Sequence, residues 1–390
     1  MSNVTSTRLG DLINLKRGYD LPESQRRPGP YPVISSAGVS GYHDEYKVEG
    51  KGVVTGRYGT LGEMYYVDGK YWPHNTALYV TSFKGNEPKY IYYLLNCLGR
   101  IRTSDKSAVP GVNRNELHEM AVPATSDKKQ QKKIAAVLSV LDTKIECNHR
   151  INAELEALAK TLYDYWFVQF EFPNAKGKPY KSSGGKMVYN NTLKREIPAG
   201  WQLSTIGDSF KTYLGGTPSR ESGEYWTPGD VNWLSSGENP STFVVAPDEE
   251  ISILGLQNSA AKLLPEGTVI FSIVRHLRAS ILGIEAATNQ SVVGVLETDK
   301  IKHCFIYPYL VREIPRLMAI RTGAQQPHIN KRMLDESLLV IPDDLTLEKY
   351  TSHTAPLFSQ IKNHLMQNRE LTQLRDWLLP MLMNGQVKVA

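Results

Sequence analysis

Two loops carry side chains able to grip planar polar edges and anionic oxygens. One is GRYGT, with Arg57, Tyr58 and Thr60; the other is VRHLRAS, with Arg275, His276 and Arg278. The Arg guanidinium is a rigid fork of donors that can bond two acceptors at once, the geometry that distinguishes one nucleobase edge from another. Lys and small hydroxyl groups suit phosphate oxygens instead. β-type runs flank both loops, so the side chains are expected on exposed turns. A single surface Arg more often closes a salt bridge. The recurrence of the pattern in two places is what singles out Arg57 and Arg275.

A second pair of loops holds Arg102 and Lys106, then Arg321 with Gln325 and Gln326. Phosphate contact suits the cations, and Gln presents the donor–acceptor pair that matches adenine. His43, His74, Arg220 and Tyr225 are further candidates. Asn75 and Asn289 fall at matching places but read as turn residues, and Trp226 and Trp233 as core aromatics.

Catalytic signatures do not accompany these loops. No Asn/Asp-Pro-Pro-Tyr stretch of the kind that holds a flipped base occurs, and no strand-linked GxGxxG. SSGGKMVY lacks the spacing of a phosphate-binding P-loop. PDDLTLEKY, from Pro342, has some likeness to a nuclease metal motif, but Glu348 and Lys349 are adjacent and the segment opens a helical pattern. The nine histidines are scattered, so no metal site is expected. These features point to a chain without catalysis and with no cofactor of its own.

The 390 residues allow two or three domains, and 41% apolar with 22% charged residues is an ordinary folded composition. A net charge of +5 permits a polyanionic partner without requiring one. Three unpatterned cysteines argue against a disulfide framework. With no signal-like start and no long apolar run, the expected place is the cytoplasm, away from membranes.

The elements that position the loops are written twice. RLGDLINLKRGYDLP (Arg8 on) matches TIGDSFKTYLGGTPS (Thr205 on), and HNTALYV matches TNQSVVGV. IRTSDKSAVPGVNRNELHEMAVP then matches IRTGAQQPHINKRMLDESLLVIP, and long helical patterns close both series. The offset drifts from about 197 to 219 and settles at 216 in the helices, so the second copy carries roughly 20 extra residues in its globular part. Short strand-like runs between breakers, interrupted by short helical pieces, give an α+β fold. The expected division is 1–125 globular, 126–170 helix, 171–200 exposed connector, 201–342 globular, and 343–390 helix and tail.

Both helices carry an a/d apolar seam. The first runs Ile134, Leu138, Leu141, Ile145, Asn148, Asn152, Leu155, Ala159, Leu162, Trp166; the second runs Tyr350, Thr354, Leu357, Ile361, His364, Asn368, Leu371, Arg375, Leu378, Leu382. Each is broken by polar residues at its centre. If the helices pack antiparallel, Asn148 faces Asn368 and Asn152 faces His364. A slip would strand these groups against leucine at about 1–3 kcal/mol each, so the layer can fix register. The alternative is that they face solvent. The first helix, starting near Ser126 or Asp127, spans about 60 Å at 1.5 Å per residue. Two such helices hold similar domains at a set spacing, and duplex DNA offers paired sites at a set spacing.

The helical phrases SVLDTKIECNHRINAELEALAKTLYDYWF and NRELTQLRDWLLPMLMNGQV, with LGGTPSRESGEYWTPGDVNWLSSGE and GRYGTLGEMYYVDGKYWPHNTALYV, resemble the DNA specificity subunit of type I restriction–modification systems over essentially the whole chain. The resemblance implies two target-recognition domains joined by two antiparallel helices that form a coiled-coil spacer. Each domain would read half of a bipartite site in double-stranded DNA. Two methyltransferase subunits would dock on the helices and carry S-adenosylmethionine, and a restriction subunit can join them. Tyr163, Tyr165, Trp166 and Phe167, with Trp377, Leu378, Leu379 and Met381, are candidates for that docking, or else for packing against the chain's own domains. The rival readings are a free-standing methyltransferase or nuclease with fused recognition domains, and a coiled-coil scaffold that binds only protein.

Overall fold

The computed structural model describes residues 4–57, 63–98, 113–235, 241–274, 276–320 and 328–389. The candidates Tyr58, Thr60, Arg102, Lys106, Arg275, Arg321, Gln325 and Gln326 lie outside the described residues. The chain divides into two compact units, residues 1–146 with 369–390 and residues 147–368. The boundary therefore cuts across both long helices, so each unit contains a piece of both, not one globular part followed by its own helix.

In the first unit a six-stranded sheet runs in the order Asn14–Arg17, Ala77–Ser82, Val48–Gly56, Met64–Pro73, Tyr31–Ser35, Gly38–His43. It is antiparallel except where Tyr31–Ser35 lies parallel to Met64–Pro73. A separate ribbon pairs Val4–Arg8 with Ala121–Thr125 and leads into the first long helix, Lys128–Tyr163. Asp127 caps that helix, its carboxylate accepting the Lys129 amide at 2.8 Å. The helix Pro88–Cys97 buries Tyr90, Ile91, Leu94 and Leu95 in a core with Leu9, Ile13 and Leu78. Ile134 and Leu138 from the first long helix join this core, as do Leu382 and Met383 from the second, Asp344–Met383.

The second unit repeats the plan with different strands. A ribbon of Gln202–Thr205 and Leu338–Ile341 leads into the second long helix, as its counterpart leads into the first. The five-stranded sheet orders Thr212–Leu214, Val292–Val295, Val269–Ser272, Arg278–Leu282, Phe243–Val244. A three-stranded sheet of Glu249–Ile251, Val231–Leu234 and Ala287–Thr288 stands beside it, and the helix His303–Ile320 covers the core. The repeat survives at atomic detail. A Cβ on Gly18 would lie 2.2 Å from the His74 carbonyl oxygen, and one on Gly215 would lie 2.2 Å from that of Thr288. Only glycine lets the chain pass that close.

The seam of each helix is buried or half-buried at every position named above. In the first unit Arg375 bonds Asp142 at 3.0 Å. In the second, Asn148 is bonded to Asn368, Asn152 to His364, and the rings of Tyr163 and Tyr350 lie 6.4 Å apart. Within either unit the first helix's numbers rise as its partner's fall, so the pairing is antiparallel. The regular α-helix ends at Tyr163 and passes into a π-turn, Asp164–Val168. The connector is folded rather than a bare linker. Phe172 stacks on Tyr180 and Trp201, and residues Met187–Asn190 pair with Arg195–Pro198.

Candidate nucleic-acid interface

The candidate residues fall into three environments. Arg57 directly follows the long strand of the hairpin Val48–Gly56/Met64–Pro73, half-buried, its amide donating to the Thr76 carbonyl at 2.9 Å. His276 lies in the equivalent turn of the second unit, between Val269–Ser272 and Arg278–Leu282, Arg278 opens the strand after it, and both are exposed. This turn touches the segment before the second ribbon: Val274 bridges His328, and the Ile329 amide donates to the Ile273 carbonyl at 3.0 Å. Two candidate loops of the second unit are thus brought together at their described ends.

Other candidates are committed to the protein itself. His43 is 2% exposed, its Nδ1 accepts the Arg27 amide at 3.0 Å, and its ring packs edge-on to Trp72. Burial removes it from contact with a ligand, which corrects the expectation from sequence. His74 is half-buried beside Thr76 at 3.0 Å, and burial, helped by nearby Arg26, lowers its pKa and favours a neutral ring. Arg220 lies flat on Trp226, 3.5 Å from the ring centroid, while both ends of its fork bond Glu249 at 2.6 and 2.8 Å. That pairing occupies two of the five guanidinium N–H donors. Tyr225 closes a single 3-10 turn, and its carbonyl accepts the Ser252 amide at 2.9 Å. Asn75 makes a short bond to Asp20, in keeping with a turn role. Trp226 and Trp233 meet edge-to-face at 5.3 Å, and Trp233 is buried.

The helix faces divide in the same way. Tyr163, Trp166 and Phe167 are buried in the second unit's core against Phe305 and Tyr350. They pack the chain's own domain, so they are not available for docking. Leu379 is buried in the first unit's core, while Leu378 and Met381 are half-covered. Tyr165 at 37% and Trp377 at 57% remain exposed.

The central polar layer is buried. Asn148 is 0% exposed, and its Nδ2 donates to Asn368 Oδ1 at 2.7 Å and to Gln367 Oε1 at 2.8 Å. His364 Nδ1 lies 2.8 Å from Asn152 Oδ1, which can only accept, so that nitrogen carries the proton. Asn152 Nδ2 donates to the Ile361 carbonyl at 3.3 Å. The sequence reading missed Gln131, which is fully buried. Its Nε2 donates to Asn86 Oδ1 and to the Thr125 carbonyl at 2.8 Å, and its Oε1 accepts the Glu87 amide at 2.9 Å. That side chain ties the base of the first long helix to its globular part. Its signal was the seam itself, which extends one step back from Ile134 to residue 131.

The exposed His276 and Arg278 offer donors for hydrogen bonding. Among the described residues no group of three or more His, Cys, Asp or Glu converges, and no helix is long and apolar enough to cross a membrane. The family described as "Type I restriction modification DNA specificity domain" matches twice, at residues 1–157 and 198–349. The type I restriction enzyme MjaIX specificity subunit of Methanocaldococcus jannaschii is 29% identical over 77% of this chain and 69% of its own length. The HindI specificity subunit of Haemophilus influenzae is 22% identical over 67% and 68%. The crystal structure of a type I restriction–modification S subunit from M. genitalium superposes on 98% of this chain and 96% of that one, with a TM-score of 0.63 at 17% identity, a likeness of fold. Two matches of one domain family, falling on the two halves that the repeat and the fold define, make this chain a member of the type I restriction–modification DNA specificity family, a recognition subunit and not a catalyst.

Proposed function

We propose that the chain reads a bipartite target in double-stranded DNA, one half-site for each globular part, with the paired long helices setting the unread gap. Arg57 and the exposed His276 and Arg278 supply base and phosphate contacts, along with the loops of Arg275 and Gln325–Gln326. Two methyltransferase subunits dock on outer faces of the helices, around Trp377 and Tyr165, and bring the S-adenosylmethionine; a restriction subunit can join that complex. The observation that carries this reading is the duplication: one fold, written twice, each copy feeding a long helix, with the helices paired antiparallel about a buried polar layer. A protein-only scaffold would need the paired helices but not two similar α+β folds with donor-rich turns. Methylome sequencing of cells carrying this chain with its methyltransferase subunits tests it. The expected product is one asymmetric motif with two specified words and a fixed gap, and a single continuous word refutes it.

A further inference from the structure

The connector between the two copies concentrates the chain's charge. Residues 171–200 hold six cations, Lys176, Lys178, Lys181, Lys186, Lys194 and Arg195, against two carboxylates, Glu171 and Glu196. Their net +4 compares with +5 for the whole chain. All six cations are exposed, and among the described residues none of them forms an ion pair. One of the two carboxylates is engaged elsewhere: Glu171 accepts both the amide and the hydroxyl of Ser182, at 3.0 and 3.1 Å.

A run of charge on a solvated linker would need no explanation, but this segment is built. Asn174 Oδ1 accepts the amides of Lys176 and Lys178 at 2.8 and 3.1 Å, and its Nδ2 donates to Ser183 Oγ at 2.9 Å, holding the lysine-bearing turn closed. Phe172, Tyr180 and Trp201 stack beneath it, which anchors the turn to the second unit's core. The following hairpin presents Tyr189, 59% exposed, together with Val188. Ordered like charges repel one another, and a fold that fixes them without counter-carboxylates is arranged for an external polyanion. Lysines and an exposed aromatic on one small folded segment suit a phosphodiester backbone, which takes point charges along its length and tolerates any sequence.

We infer that the folded connector is a DNA-backbone clamp: Lys176, Lys178, Lys181 and Lys186 contact phosphates without reading bases. This contact lies outside the loops that choose the target word and rests on the DNA-reading function proposed above. It raises affinity for every duplex alike and leaves the recognised word unchanged.

The test is binding of the full chain to a fluorescein-labelled duplex of arbitrary sequence, followed by anisotropy across a potassium chloride series. Lys176→Gln, Lys178→Gln, Lys181→Gln and Lys186→Gln are combined in one variant, and the four Lys→Arg changes in a second. Each phosphate contact contributes about 0.9 to the slope of log affinity against log salt. Losing two to four contacts should flatten the slope by about 2 to 4, and the arginine variant should keep the parental slope. A glutamine variant with the parental slope overturns the inference while leaving the DNA-reading function standing. A parent chain that binds no duplex at any salt concentration overturns both.

Discussion

The helices are continuous across the boundary between the two compact units, which falls between Glu146 and Cys147 in one and between Asn368 and Arg369 in the other. Four residues inserted at both points leave the contacts within each unit in place, including Asp142–Arg375 on one side and Asn148–Asn368 on the other. The insert Ala-Glu-Leu-Lys puts leucine third, which continues the seam from Ile145 to Asn148 in steps of four and three, and from Asn368 to Leu371 in steps of three and four. The added length is about 6 Å at 1.5 Å per residue, or about 1.8 base pairs at 3.4 Å each. The added rotation is about 400°, some 40° past a full turn, against about 34° per base pair of duplex. Translation asks for nearly two base pairs and rotation for little more than one. On the proposed function the gap should therefore grow by one or two base pairs while both words stay the same. Methylome sequencing of cells carrying the altered chain reads this directly. Changed words, or an unchanged gap, would show that the helices do not set the spacing.

Arg57→Ala should relax one word only, and Arg278→Ala the other, each costing about 1–3 kcal/mol at the contacted base, as read by competition binding with single-base variants. Trp166→Ala empties a buried aromatic site and should destabilise the fold by about 3–5 kcal/mol in urea unfolding. Trp377→Ala should leave unfolding within about 0.5 kcal/mol and weaken capture of the methyltransferase subunits instead. Glu297 titrates below the ordinary carboxylate range. Burial pushes its pKa up, but the His303 amide and ring, both bonding Glu297 Oε1, hold it down. Its contribution to stability is present above the unfolded carboxylate value, near 4.3, and is lost as pH falls through the lower folded value. The stability gap between the parent and Glu297→Gln should close on acidification, and a gap independent of pH would refute the assignment.

Periodicity made the helices legible. The seam needs only sequence spacing, and the positions at its centre that break it are the ones whose side chains bond across the helix pair. The duplication was legible too, because glycines such as Gly18 and Gly215 answer to the same close backbone passage in each copy. What sequence could not assign was burial around single aromatic and basic residues. Tyr163 and Trp166 differ from Trp377 only in what the fold lays over them, and that cover comes from Phe305 and Tyr350, far away in the chain. Likewise Arg220 looks free until Glu249 and Trp226 are folded onto it. The connector read as a linker because Gly, Ser and Lys dominate it. Its order depends on one asparagine and three stacked rings, one of which, Trp201, lies just beyond the segment.

The polar layer has a further logic in the repeat. At the helix offset of 216, Asn148 corresponds to His364 and Asn152 to Asn368. The bond from Asn148 to Asn368 and the bond between His364 and Asn152 are therefore one contact made twice, as a two-fold relation between copies of the helix requires. An all-leucine seam would stabilise the pair as well or better, since buried amides gain little net free energy. It would also tolerate a slip of one heptad, about 10.5 Å, which is about three base pairs of duplex. A spacer that slips by three base pairs would hold its two readers at the wrong separation for one fixed target. Leucine at either polar position thus trades a single length for several. On the proposed function, the asparagines serve to keep one register rather than to add stability.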